Sequence, residues 1–163
     1  MIYKRLGVVA VLFVLLAFPA SASMVSFLLV ETGLSEDVPS REYTSLWEGG
    51  LMAAFFDAGH IVTNSPIARM KAKPSVDLTG LVKDDFNDAI NGGADYFLLG
   101  FVEYKIQDAK VVPVGIVLKL FNINSQKLLH EQRFPGGVGK NLEEEYQIAQ
   151  NAGWEMVSHL KDR

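Results

Sequence analysis

The stretch Tyr96-Phe97-Leu98-Leu99-Gly100-Phe101-Val102-Glu103-Tyr104-Lys105-Ile106, followed by Val111 to Ile123 and by Lys127 to Phe134, places three strand-length apolar runs in succession. They are separated by Asp108-Ala109 and Asn124-Ser125, spacers short enough for antiparallel hairpins, so this part of the chain reads as a β meander. If Gln107 pairs with Lys110 across the first turn, Phe97, Leu99 and Phe101 share a face with Leu120, Leu118 and Ile116, which is the expected core. The opposite face carries Leu98, Gly100, Val102 and Tyr104 beside Lys119, Val117, Gly115 and Pro113, with Phe121 nearby. That face is apolar but thinner, and Tyr104, Lys119 and Phe121 on it are the first candidates for a partner-binding surface.

Working outward, Val25 to Val30 is an apolar run ended by Thr32-Gly33 and reads as a central first strand. From Tyr43 to Ala58 the apolar residues recur at helical spacing. Ser45 and Glu48 offer a capping box or early-turn pair there, and Gly59 closes the helix. Gly49-Gly50 lowers helix propensity inside it, with close packing against the sheet as the expected compensation. His60 to Thr63 reads as a second strand and residues 67–78 as a long loop. A helix from Leu81 to Asn91 buries Leu81, Val82, Phe86, Ala89 and Ile90 and stops at Gly92-Gly93. After the meander, Pro135 to Gly139 is a flexible connector and Asn141 caps a last helix with Glu144 at the third position. Glu143 to Glu145 complement the positive end of that helix, and Leu142, Tyr146, Ala149, Gly153, Met156 and Leu160 form its apolar stripe. Trp47 falls in a helix stripe and reads as core, while Trp154 is offset from its stripe and reads as core edge or contact residue. The expected fold is α/β (α+β): a single mixed sheet with an antiparallel meander, packed by about three helices, in the order β-α-β-α-β-β-β-α.

The start of the chain addresses it. Lys4 and Arg5 precede an uncharged apolar run from Leu6 to Phe18, then Pro19 and Ala20-Ser21-Ala22. This reads as a signal peptide over residues 1–22, with small residues Ala20 and Ala22 before a cut at Ser23 and a single domain over 23–163. Left uncut, the apolar run together with Met24 to Val30 would form a membrane anchor. The whole chain has 15 Lys+Arg and 19 Asp+Glu, and residues 1–22 hold two of the basic residues and none of the acidic ones. Residues 23–163 therefore carry 13 positive against 19 negative charges, a net −6 without a basic cluster, which excludes nucleic acid as the expected partner. The absence of cysteine removes disulfides, thiolate metal sites, cysteine nucleophiles and the lipid-carrying cysteine of a lipoprotein. The expected location is the periplasm, soluble after cleavage, with membrane contact only during export unless the signal stays attached.

Chemical motifs are sparse. Gly136 to Lys140 leads into a helix as phosphate loops do, but Phe134 and Asn141 stand where a glycine and a hydroxyl are required. His60, His130 and His159 lie on three different elements without ligand spacing, and no Gly-x-Ser-x-Gly elbow is present, so neither metal, cofactor nor catalytic residue is assigned.

The segment Gly93-Ala94-Asp95-Tyr96-Phe97-Leu98-Leu99-Gly100-Phe101-Val102, with Val117 to Asn122 and Lys127-Leu128-Leu129, resembles a group of bacterial envelope domains of the CsgG, LpoB and TolB amino-terminal type. Ala58-Gly59-His60-Ile61-Val62 is similar to their upstream segment, and the resemblance spans residues 25–134. It implies a periplasmic module without a catalytic centre that contacts another envelope protein or copies of itself. Asn122 and Gln126 replace the usual Asp and Gly of the turn, and the long amphipathic hairpins of the curli pore are absent. The expected function is thus an exported, non-catalytic interaction module using Tyr104, Lys119, Phe121 and Trp154. The alternatives are a small-ligand carrier using the gap between helices and sheet, and an envelope-polymer hydrolase in which Asp57, Asp95 and Glu103 converge.

Overall fold

A computed structural model describes residues 22–35, 42–70 and 81–160, with the side chains of Leu81 and Val82 excepted. Residues 1–21, which include Ala20 and most of the expected leader, lie outside the described residues, as does the stretch 71–78 of the expected loop. The elements are β1 (Met24–Thr32), α1 (Glu42–Asp57), β2 (Ile61–Asn64), β3 (Ala68–Met70), α2 (Leu81–Asn91), β4 (Tyr96–Gln107), β5 (Lys110–Asn122), β6 (Lys127–Pro135) and α3 (Leu142–Val157). They build the expected mixed sheet, in spatial order β2-β1-β4-β5-β6, with β2 and β3 both pairing in parallel with β1. β3 lies where the sequence predicts a loop. Its three residues, Ala68, Arg69 and Met70, are too few to show a period.

β1 and β4 are central and parallel, and β4-β5-β6 is the antiparallel meander. Asp108 and Ala109 both have positive φ, the conformation a two-residue hairpin turn demands. The register from that turn runs as expected through Gln107↔Lys110 and Tyr104↔Pro113. A bulge then adds Val114, so that Glu103 faces Gly115 and Phe97 faces Phe121. This one residue corrects the expected faces. Leu98, Val102 and Tyr104 share a face with Leu120, Leu118 and Ile116, under α1 and α3. Phe97, Leu99 and Phe101 lie with Phe121 and Lys119 on the other face, where Phe86 of α2 meets Phe97 edge-on at 5.3 Å between ring centroids. Both faces of β4 up to Tyr104, and of β5 from Gly115 to Phe121, are therefore core, while β6 is exposed or half-exposed along its length.

α1 and α3 pack against each other in parallel over the first face. Tyr43 and Trp47 meet Glu145, Gly50 meets Ala149, and Gly153 meets Ala54. A Cβ on Gly50 would lie 2.7 Å from the Cβ of Ala149 and 2.9 Å from the Tyr146 carbonyl oxygen, and one on Gly153 would lie 2.6 Å from the Cβ of Ala54. Gly50 thus compensates its poor helix propensity against the neighbouring helix, not against the sheet. Ser45 and Glu48 fall inside α1, which begins at Glu42, so the pair does not cap it. Burial instead pushes the Glu48 carboxyl pKa up, and its Oε1 has no partner. On α3 the expected cap is present, Asn141 Oδ1 accepting from Glu144 N at 2.8 Å. Leu142 lies exposed rather than in the stripe, and Glu145 is buried there in place of an exposed position at the helix start.

The adjacent glycines of α1 separate the two effects. Gly50→Ala should cost about 1 to 3 kcal/mol, because the inserted methyl meets backbone it cannot displace. Gly49→Ala should stabilise by about 0.5 to 1 kcal/mol, since its Cβ would stand 3.7 Å from the Tyr146 ring edge, an ordinary contact. Urea midpoints of the two variants check the opposite signs.

Candidate functional site

The strands and helices leave two ends to the molecule. β1 and β4 start at one end, where α1, α2 and α3 finish; β1 and β4 finish at the other, where α1 and α3 begin. For brevity these are the lower and upper ends.

The upper end holds two buried carboxylates. Glu145, from the first turn of α3, is 3% exposed. Its Oε1 accepts from the Tyr43 hydroxyl at 2.6 Å and from Trp47 Nε1 at 2.9 Å, and its Oε2 from Gly139 N at 2.6 Å. The Tyr43 hydroxyl accepts in turn from Gly137 N at 2.8 Å. Burial and the Glu145 carboxylate drive the Tyr43 pKa upward, so the phenol keeps its proton. Glu31, fully buried at the end of β1, accepts from Thr44 Oγ1 at 2.8 Å and pairs with Arg69 of β3. Thr44 Oγ1 also lies 2.7 Å from the Tyr104 hydroxyl. Every oxygen of the two carboxylates is engaged, so this network fastens α1, α3, the connector and β3 to the sheet. The connector amides are spent in the same way: Gly137 N on Tyr43, Gly139 N on Glu145 and Lys140 N on Glu144 Oε2 at 2.9 Å. They are committed within the chain, which agrees with reading 136–140 as a connector.

The four expected contact residues separate. Tyr104, Lys119 and Phe121 are 5%, 3% and 4% exposed, Tyr104 on one face of the sheet and the other two on the opposite one. The shared surface expected of them is corrected by the Val114 bulge and by the helices over both faces. Lys119 reaches Glu131 at 3.2 Å. Trp154 alone of the four is accessible, at 42%. Of the expected cleavage residues within the described range, Ala22 is exposed and Ser23 is buried, its carbonyl accepting from Ile61 N at 3.0 Å.

The three carboxylates considered for hydrolysis do not converge. Asp57 accepts from Gln150 Nε2 at 3.3 Å and Asp95 from Met24 N at 3.0 Å, both at the lower end. Glu103 stands eight residues along β4 from Asp95, about 26 Å in an extended strand, and pairs with Arg133 across the space Gly115 leaves. Among the described residues no three His, Cys, Asp or Glu gather as metal ligands, and no helix is long and apolar enough to cross a membrane.

Two arrangements escaped the sequence reading. His130 of β6 and His159, just past α3, stack with ring centroids 3.6 Å apart and planes 12° from parallel, although they lie on different elements. Burial, and the neighbouring His159, hold the His130 pKa below the usual histidine range, with Glu155 opposing.

The second is the placing of exposed large apolar residues. Phe56, Ile61, Ile90, Leu128 and Trp154 lie at the lower end, and Ile106, Val138 and Leu142 at the upper end, all from 39% to 71% exposed. All eight lie within three residues of an element's end or in the connector, and Trp154 shares the outward face of α3 with Gln147, two turns earlier. The hairpin tip from Lys105 to Lys110, with Ile106, is exposed beyond the last partners of β1 and β6, while Tyr104 and Val111 at its base pack into the first core face.

No known family pattern matches the chain, and no curated protein sequence does. Distant likenesses exist among solved structures. PelC, a dodecamer from Paraburkholderia phytofirmans, is 16% identical with a TM-score of 0.48 over 87% of this chain and 89% of that one. The LpoB C-terminal domain from Escherichia coli is 16% identical with a TM-score of 0.38, over 73% of this chain and 86% of that one. TolB from Acinetobacter baumannii is 14% identical with a TM-score of 0.39, over 86% of this chain and 27% of that one.

Glu145→Ala should destabilise the fold by about 3 kcal/mol, because it strands the Tyr43, Trp47 and Gly139 donors; chemical denaturation followed by Trp47 fluorescence measures it. The depressed His130 pKa sets a second expectation. The unfolded state takes up a proton near pH 6.5 that the folded imidazole binds only at lower pH, so stability falls as pH drops below about 6.5. His130→Gln should flatten that part of the stability curve, read as urea midpoints between neutral and mildly acidic buffer.

Proposed function

We propose that this chain is an exported, non-catalytic protein-interaction module of the bacterial envelope, released by cleavage before Ser23 and acting by surface contact. The observation that carries the reading is that the large apolar side chains exposed among the described residues lie near the ends of their elements, five of them toward the lower end. Apolar groups gathered in this way mark contact surfaces, whereas scattered ones do not. Of the expected contact residues, Trp154 stays in the proposal because it is accessible there. The packing favours contact over ligand carriage: Trp47, Leu51, Phe55, Leu98, Leu118 and Met156 fill the layer between α1, α3 and the sheet at zero exposure. The upper-end carboxylates, each saturated by protein donors, support bracing rather than acid-base chemistry.

A photo-crosslinking residue placed at Trp154 or Phe56 in the exported protein should give discrete adducts, while the same residue at exposed Asn87, midway along α2 on the other side of the sheet, should not. The mature protein should begin at Ser23 by mass. Adducts of equal yield at all three positions, or an uncut chain in the cytosol, contradict the proposal.

A further inference from the structure

β6 is the long open edge of the sheet. β5 pairs one side of its nine residues, and among the described residues no strand pairs with the other side, whereas the opposite edge is the four-residue β2. An open edge offers a row of backbone donors and acceptors to another strand, and proteins block such edges with a proline, a bulge or a lysine. Here those devices stand at the two ends of the strand. Lys127 and the bulge at Leu129 lie at its start and Pro135 at its finish, so His130 to Phe134 form an unobstructed run.

Two charges on that run point to its partner. Glu131 and Arg133 lie on one face of the sheet, the face of Lys119. Each is tied inward, Glu131 to Lys119 at 3.2 Å and Arg133 to Glu103, yet their side chains stay 43% and 54% exposed. Antiparallel self-pairing about Gln132 sets Glu131 opposite Arg133 on both sides of the axis. The neighbouring registers do not: an axis at Glu131 sets that carboxylate against itself, one at Arg133 sets guanidinium against guanidinium, and one at His130 sets Lys127 against Arg133. A shift by one residue would bring together side chains of opposite faces.

We propose that β6 pairs antiparallel with β6 of a second copy of this chain, about a two-fold axis through Gln132. The exposed charges then complete a ladder across the joint, from Glu103 and Arg133 of one copy to Glu131 and Lys119 of the other, repeated on the far side of the axis. On the opposite face His130 meets the second copy's Phe134, and Gln132 meets its own equivalent. The interface is isologous and therefore closes at the dimer. This goes beyond the contact reading above and uses neither Phe56 nor Trp154.

Sedimentation velocity of the exported protein tests it. Wild type should pass from monomer to dimer as concentration rises. Gln132→Lys and Gln132→Glu place like charges on the axis without touching either ion pair. Each alone should associate at least about tenfold more weakly, or about 1.4 kcal/mol, and their equimolar mixture should regain the dimer. The chain has no cysteine, so a single introduced one reads the register. Gln132→Cys should form a disulfide-linked dimer under mild oxidation, whereas Lys127→Cys, about 33 Å from its equivalent across the axis, should not. Circular dichroism confirms folding, and the cysteine pair decides if the charged variants unfold. A wild type that stays monomeric, charged variants that dimerise like wild type, a mixture no better than either variant, or equal linkage at both cysteines overturns the proposal. Adducts from Trp154 to another envelope protein are read separately, so the contact reading stands or falls independently of these results.

Discussion

The carboxylate of Glu145 is the constraint on which the upper half of this molecule depends. A single buried side chain collects the Tyr43 hydroxyl and the Trp47 indole of α1 and the Gly139 amide of the connector, while its own backbone opens α3. Two parallel helices bring like ends of their dipoles together, an arrangement that a shared negative charge at their N-termini offsets. The close approach of Gly50 to Ala149 and of Gly153 to Ala54 then sets the separation of the pair along its length. With α1 and α3 locked in this way, their last turns deliver Phe56 and Trp154 to one end of the layer, and the contact surface follows from the bracing at the opposite end.

The sheet obeys a similar economy. Glu31, Glu103 and Lys119 are charged residues in strands that are buried on both faces, and each finds an opposite charge: Arg69, Arg133 and Glu131. Removing one partner of such a pair leaves a charge uncompensated, which costs more than the intact pair contributes to net stability. Gly115 illustrates the coupling, because a side chain there would occupy the space through which Arg133 reaches Glu103.

Most of this architecture was legible in the residues. The turn dipeptides bounded β4, β5 and β6, the Gly92-Gly93 stop ended α2 at Asn91, and Asn141 with Glu144 marked the start of α3. Register was legible only as far as the turn could carry it. Beyond Tyr104 both faces of β4 and β5 are apolar, so no polar alternation pins the pairing, and the extra residue Val114 passed unseen. That slip moved Tyr104 away from Lys119 and Phe121 and gave a contact face that the fold buries. Glu145 read as an ordinary acid at a helix start; the signal available was Tyr43 and Trp47, four residues apart on one stripe, each with a polar tip that needs a partner. The His130–His159 stack and the clustering of exposed apolar residues join elements far apart in sequence, and neither has a local signature.

The central claim is that this protein acts by contact through its lower end. Hydrogen–deuterium exchange, comparing the purified exported protein alone with the same protein in a detergent extract of the envelope, tests it most directly. The account requires slowed exchange confined to the segments around 56–61 and 154–158. Slowed exchange along the outer edge of β6, with these segments unchanged, would contradict it.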